Sequence, residues 1–390
     1  MIRIALLGAT GSIGRSTLEV VARHPDRFRV VAVSANRSVG ALAEIVERVS
    51  PDTAVISDAA AWDGSEGGER RNGTHWRVGP EAVTEVAARD DVDVVVNALV
   101  GAAGLEPTLA ALESGTRLAL ANKESLVAGG PLVAPALRRG GGALVPVDSE
   151  HSAILQCIHG ASDRTVQRVV LTASGGPFRG WTREALADVG PEAALKHPTW
   201  DMGAKISIDS ATLANKALEV IEAHVLYGLD YDHIGAVVHP QSIVHSFVEF
   251  VDGSVLAQVG EPTMELPILY ALTHPDRLPD PTLRGFDPVA CSPLTFEDID
   301  HDAFPLFGLG VAAGRRGGVA PAAYNAGNEI AVAAFLEQRV SFPGMARVVE
   351  AAMNAVGDTR PGTVAEVREA DREARRAARA EVERLKERPE

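Results

Sequence analysis

The sequence predicts an α/β protein, with an N-terminal doubly wound parallel sheet, an α+β domain after it and a helical C-terminal region. Three observations predict this. Residues 1–147 alternate short β-branched runs with helical patterns, and continuously apolar strands separated by helices imply a parallel sheet covered on both faces. From Asp148 the grammar changes to longer runs joined by Asp252-Gly253, a strong hairpin signal. Beyond about residue 300 the periodicity is helical. The boundaries expected are 1–147, 148–273, a linker at 274–300, and 301–390.

Taken in order, strands are expected at 2–7, 29–34, 53–56, 93–97, 117–120 and 143–147. The stretch 57–77, rich in Gly, Asp, Glu and Arg and carrying Trp62 and Trp76, breaks the rhythm and reads as a surface loop. A strand at 166–173 leads through a Gly-rich loop to a long helix at about 210–227, then to strands at 243–251 and 254–259. Pro-rich text from 274 to 293 reads as extended linker. At the end, Val367, Ala370, Ala374, Ala378, Val382 and Leu385 recur at steps of three and four with Glu and Arg between them, which is an amphipathic surface helix.

Composition narrows the classes of function. The chain has 390 residues, 46% hydrophobic and 23% charged, which excludes a small stapled scaffold and a disordered chain. A net charge of −15 argues against a nucleic-acid groove. Cys157 and Cys291 have no metal-type spacing and suit a reducing compartment. The opening MIRIALLG enters a strand directly, and no apolar run reaches ~18 residues, so a cytoplasmic protein without a membrane span is expected.

GATGSIG follows the first strand and opens the next helix, the place where backbone N–H groups and the helix dipole hold a pyrophosphate in a Rossmann-like domain. Its form is Gly8-x-x-Gly11-x-x-Gly14 rather than the stricter G-x-G-x-x-G, and close packing alone is the bland explanation. The second strand ends Ala35-Asn36-Arg37, with a cation where an NAD site carries an acid, which favours NADP over a merely solvated arginine.

Asp148-Ser149-Glu150 sits where the last parallel strand leaves the sheet, and in an extended chain residues i and i+2 point to one side. Paired carboxylates want a hard divalent ion such as Mg²⁺ or Mn²⁺ between them. Glu219, sharing a helix face with Asn215 and Lys216, is the third candidate ligand, although a Glu near a Lys is more often a surface pair. Ser174-Gly175-Gly176 forms a small-residue loop suited to phosphate, and Ser210, expected near the start of the next helix, suits the same role. Between them, 180–204 contains Trp181, His197, Trp200 and Met202 in text too polar for a core element, so it reads as a lid.

Together GATGSIG, NALVGAAGLEPTLAAL, ANKESLV, PVDSEHSA, LTASGGPF, HPTWDMGAKISIDSATLANKALEVIEA, HPQSIVHS, DGSVLAQVGEPTMELPI and NAGNEIAVAAFL run in order from residue 8 to about 336. In that order they resemble the 1-deoxy-D-xylulose 5-phosphate reductoisomerase family. The resemblance implies an NADPH- and divalent-metal-dependent homodimer acting on a small phosphorylated substrate, with nucleotide-binding, catalytic and C-terminal helical domains in a V-shaped protomer. It implies conversion of 1-deoxy-D-xylulose 5-phosphate to 2-C-methyl-D-erythritol 4-phosphate through an aldehyde. Asp148, Glu150 and Glu219 match metal ligands, while Lys123 and Ser149 match substrate contacts. Ser174, His197, Ser210, Asn215 and Lys216 match the phosphate and hydroxyl site, with Trp200 and Met202 in the lid. Thr10, Gly11, Ser12, Ile13, Asn122, Glu124 and Gly203 match cofactor contacts. One departure is local: many members resemble Gly-Lys-Asn where this chain has Asn36-Arg37-Ser38. Two other classes remain to be weighed. A semialdehyde or sugar dehydrogenase would need the glycine turn but no three-carboxylate metal site, and a non-catalytic NADP sensor would need neither lysines nor carboxylates.

Overall fold

A computed structural model describes residues 1–62, 73–162, 165–200 and 203–387. Packing divides the chain into two compact units, one of Met1–Ser125, Leu132–Ser152 and Thr263–Leu283, the other of Leu126–Pro131, Ala153–Pro262 and Arg284–Glu390.

The first unit is built on β1 (Ile2–Leu7), α1 (Ser12–Arg23), β2 (Phe28–Ala35), α2 (Val39–Val49), β3 (Thr53–Ile56), β4 (His75–Val78), α3 (Pro80–Ala87), β5 (Val94–Asn97), α4 (Leu105–Glu113), β6 (Arg117–Leu120), α5 (Lys123–Gly140), β7 (Ala143–Pro146) and the start of α6 (Ser149–Ile158). Seven strands pair in parallel in the order β4-β3-β2-β1-β5-β6-β7. Ile4 to Leu7 and Val94 to Val96 are buried, as a parallel strand covered on both faces requires. Strand order reverses between β1 and β5, so their C-terminal loops frame the crevice where open α/β sheets bind ligands.

The expected strands recur within a residue or two. The expected surface loop at 57–77 is corrected at its far end, where β4 forms the sheet edge and buries Trp76, whose ring lies 5.5 Å from that of Trp62. Four residues with polar His75 and Arg77 alternating against Trp76 and Val78 are too few to register as a strand pattern. The middle of that stretch, 63–72, lies outside the described residues.

Chain 263–283 rejoins the first unit. Helices are numbered along the chain, so the returning helix is α10 (Glu265–Thr273), after α7 (Pro191–Ala194), α8 (Ala204–Ala211) and α9 (Ala214–Tyr227) of the second unit. It packs on α1, and Arg23 bonds Glu265 at 2.8 Å. Beyond it, the buried Asp280 carboxylate accepts from Arg23 at 2.8 Å, Thr282 Oγ1 at 2.7 Å and Thr282 N at 2.9 Å, and contacts His24 at 3.1 Å. Burial alone would raise this carboxyl, but the donors from Thr282, Arg23 and His24 outweigh it and hold it far below the carboxylate range.

The second unit carries β8 (Val166–Ala173), β9 (Ile234–Val238), β10 (Val244–Phe250) and β11 (Val255–Val259) in the order β11-β10-β8-β9, antiparallel except for β8 with β9. The Asp252-Gly253 hairpin forms as expected: Gly253 takes φ +83°, and Asp252 accepts from Ser254 N at 2.9 Å. Helices α11 (Pro305–Arg316), α12 (Ala320–Leu336), α13 (Gly344–Ala355) and α14 (Val364–Glu387) follow. The α14 stripe Val367, Ala370, Ala374, Ala378 and Val382 is buried, with Leu385 partly so.

Two further expectations are corrected. The single helix at 210–227 is two: α8 ends at Ala211 and α9 begins at Ala214, because Leu213 adopts a left-handed φ of 59° while Thr212 Oγ1 donates back to the Ile208 carbonyl at 3.1 Å. Ser210 is therefore in the last turn of α8, not near a helix start. The proposed lid at 180–204 is not uniformly polar surface either, since Leu186 and Ala194 join the core.

Candidate active site

At the nucleotide end, Gly8 takes φ +85°, and a Cβ there would lie 2.5 Å from the Ala98 carbonyl oxygen of the β5 loop. A Cβ on Gly14 would lie 2.3 Å from the Gly8 oxygen, so glycine at both positions lets α1 start tight against β1. Gly11 caps α1 without any side-chain bond, leaving the first N–H groups of Ser12, Ile13 and Gly14 to an anion, with Thr10 tied through its carbonyl to Arg15 at 2.7 Å. This cradle fits a dinucleotide pyrophosphate.

At the end of β2, Ala35 is buried, Asn36 Oδ1 accepts from Ser57 at 3.1 Å, and Arg37 Nε donates to Asp58 at 2.5 Å. The Arg37 side chain is 76% exposed, so its two terminal nitrogens face solvent. The Arg37 bond and the Ala60 backbone bond hold Asp58 below the usual carboxylate range. Sequence reasoning missed Asp58; its signal is the turn-forming Ser57-Asp58 directly after β3.

Asn122 caps α5, accepting from Ser125 N at 3.0 Å and donating to the Leu99 and Gly101 carbonyls at 2.8 and 3.0 Å and to Glu124 at 3.2 Å. Its side chain therefore ties the β5 loop to α5. Lys123, the first residue of α5, forms an ion pair with Asp148, the two side chains being 10% and 12% exposed. The premise of an extended 148–150 is corrected: α6 starts at Ser149, so Glu150 lies in a first helical turn, and Ser149 donates to its carboxylate.

In the second unit the Lys216 ammonium and the Glu219 carboxylate form an ion pair one turn apart on α9, only 4% and 1% exposed. Asn215 Nδ2 donates to the other Glu219 oxygen at 2.5 Å. The bland alternative of a surface pair does not hold, since both groups are buried, where each charge depends on the other.

His197 Nδ1 accepts from the Trp200 and Thr199 backbone N–H groups at 2.8 and 3.1 Å, which puts the imidazole proton on Nε2. Burial lowers the His197 pKa and keeps the ring neutral. Nε2 then donates to Ser174 Oγ at 2.9 Å, so the Ser174 hydroxyl hydrogen is turned away and available to an anion. A Cβ on Gly176, at φ +64°, would lie 2.8 Å from the Ser210 carbonyl oxygen, so the 174–176 loop rests directly on Ser210. Trp200 is half-buried, Gly203 caps α8, and Met202 lies outside the described residues.

The class that these features define is that of dinucleotide-dependent α/β enzymes with an anion site. Family models described as 1-deoxy-D-xylulose 5-phosphate reductoisomerase, its C-terminal domain, and DXP reductoisomerase C-terminal domain match residues 4–130, 144–227 and 259–377. The chain is 51% identical over 378 residues to a 1-deoxy-D-xylulose 5-phosphate reductoisomerase of Nocardia farcinica, covering 96% of this chain and 93% of that one. It is 42% identical to the Zymomonas mobilis enzyme solved with NADPH, with a TM-score of 0.89 over 98% of this chain and 99% of that one. A DOX-P reductoisomerase solved with NADPH, fosmidomycin and magnesium is 36% identical, with a TM-score of 0.92 over 100% of both chains. The chain belongs to the 1-deoxy-D-xylulose 5-phosphate reductoisomerase family. Among the described residues, no helix is long and apolar enough to cross a membrane.

Proposed function

We propose that the protein catalyses the NADPH- and divalent-metal-dependent rearrangement and reduction of 1-deoxy-D-xylulose 5-phosphate to 2-C-methyl-D-erythritol 4-phosphate, a step in non-mevalonate isoprenoid precursor synthesis. The observation that carries it is the pairing of Lys123 with Asp148 and of Lys216 with Glu219. Two nearly buried lysine–carboxylate pairs place both charges that the family's chemistry uses on rigid helix starts. Three carboxylates are a hard-oxygen donor set that suits Mg²⁺ or Mn²⁺, and Asp148, Glu150 and Glu219, which match the family's metal ligands, would hold it. When bound, the cation polarises the substrate oxygens where charge develops, and the nicotinamide supplies the hydride.

The chain's own residues do the rest. Lys123 and Lys216 place positive charge at the reacting end, and Ser149 donates there. Ser174, Ser210 and Asn215 hold the phosphate and hydroxyls, with His197 orienting the Ser174 hydroxyl, and the remote binding energy drives orientation and closure of the 180–204 segment around Trp200. Closure excludes water from the rearranging carbons. Gly8 to Gly14, Ala35 to Arg37, Asn122, Glu124 and Gly203 receive NADPH. The division into 1–147, 148–273 and 301–390 around a 274–300 linker belongs to this reading as a scheme of roles, although by packing 263–283 goes with the first unit.

Exposed Val251, Val255 and Leu256 on the hairpin support a homodimer, and light scattering at micromolar concentration should give twice the 41.0 kDa chain mass. The acidic charge argues against nucleic-acid partners, and a content of only two cysteines supports a reducing, cytoplasmic location. The decisive test is NADPH oxidation on 1-deoxy-D-xylulose 5-phosphate with and without chelator. Undiminished oxidation with chelator would favour a simple NADP-dependent dehydrogenase, and no oxidation with substrate and Mg²⁺ would favour a sensor.

A further inference from the structure

The motif NAGNE on α12 has no part in the chemistry above, yet it reaches the site's scaffold. Asp209 lies in the last turn of α8, close to the C-terminal end of that helix, where the helix dipole opposes a carboxylate. Its side chain is nevertheless only 1% exposed. Two donors compensate it: Lys205 Nζ at 2.8 Å, one turn earlier on the same helix, and Asn328 Nδ2 at 2.7 Å from α12, itself fully buried. Lys205 is 26% exposed and moves with α8, so it neutralises the charge without fixing the helix. Asn328 is the donor that ties α8 to a separate helix.

Three features adjoin Asp209. Its neighbour Ser210 carries the 174–176 loop through the close approach at Gly176. Thr212 Oγ1 contacts the Asp209 carbonyl at 3.3 Å and accepts from Ala214 N at 3.3 Å, joining α8 to α9 through the left-handed Leu213. Asn215 and Lys216 follow in the first turn of α9. A displacement of Asp209 is therefore passed most directly to Ser210 and, through the close approach at Gly176, to Ser174.

We infer that Asn328, acting through Asp209, is a positioning residue for the end of the site that holds the substrate phosphate. The inference rests on the reading of Ser174 and Ser210 as phosphate contacts. It is tested on the full-length enzyme with Mg²⁺, NADPH being saturating except where its own KM is measured, and inorganic phosphate serves as a competitive probe. Asn328→Ala should raise the substrate KM and the phosphate Ki about tenfold, or about 1.4 kcal/mol, while the NADPH KM stays within about twofold and kcat falls less than about threefold. Equal rises in both KM values, or an unchanged phosphate Ki, would overturn it. Asn328→Gln keeps the amide and serves where the alanine variant fails to fold; its phosphate Ki should rise about threefold, and an unchanged value overturns the inference. Ser210→Ala separates the two claims. If it leaves the phosphate Ki unchanged, the phosphate reading fails and takes the inference with it; if it raises Ki where both Asn328 variants do not, only the positioning role fails.

Discussion

Glu219→Gln keeps the shape of the side chain and removes its charge, and the surroundings of Glu219 set the size of three separate effects. The Lys216 ammonium, 4% exposed, loses its partner carboxylate. Breaking a buried pair costs ~3–5 kcal/mol, and because the glutamine oxygen can still accept from Lys216 the lower figure applies. For 390 residues at ~2.1 cal/mol/K each, the unfolding entropy is roughly 0.8 kcal/mol/K, so ~3 kcal/mol lowers Tm by about 4 °C in metal-free protein. Metal affinity should fall at least about tenfold, or ~1.4 kcal/mol, with turnover falling alongside and partly rescued by excess Mn²⁺. NADPH should hardly notice, since Gly8 to Gly14 and Arg37 belong to the other packing unit. Its Kd should stay within about threefold, under ~1 kcal/mol. Calorimetric titration with Mn²⁺, fluorescence titration with NADPH and thermal unfolding read the three quantities independently. An unchanged Mn²⁺ Kd with ordinary turnover would refute the assignment of Glu219 as a ligand.

Three other outcomes are expected. Arg37→Ala should raise the NADPH KM about tenfold and leave that for NADH nearly unchanged; equal weakening of both would show that Arg37 does not read the 2′-phosphate. Gly14→Ala forces a Cβ to within 2.3 Å of the Gly8 oxygen, so it should cost about 1–3 kcal/mol of stability and weaken NADPH binding, checked by denaturant unfolding and titration. Asp280→Asn should destabilise the protein by about 3 kcal/mol near neutrality. Because the folded Asp280 pKa lies below its ordinary 3.8, its contribution is complete above that value and is lost as pH falls toward the folded pKa. The gap between parent and variant Tm should therefore shrink only below about pH 4, and a gap that closes toward neutrality would contradict the clasp.

The parallel strands were legible because each is a short apolar run bounded by turn residues, and the hairpin because Asp-Gly fits its turn. Leu213 was not legible. From Ser210, SATLANKALEV reads as continuous helix, and nothing local announces a left-handed leucine between two helices. Lys216 with Glu219 was readable from helical spacing, but its depth was not, since burial belongs to tertiary packing. Lys123 with Asp148 was out of reach for another reason. The two lie far apart in sequence and meet because β6 and β7 are adjacent in the sheet, which brings the loops following them together. Asn328 with Asp209 is the same problem between helices.

The return of 263–283 to the first unit has a consequence for how the chain is made. Synthesis proceeds from the N-terminus at ~5–20 residues per second, so residue 283 emerges roughly 15–55 s after the first. Until then Arg23 and His24 lack Asp280, and α1 lacks the helix that packs against it. The first unit, its seven strands already made, thus waits for α10 while all of β8 to β11 is translated. A chain cut at 147, where the strand pattern ends, stays in that waiting state.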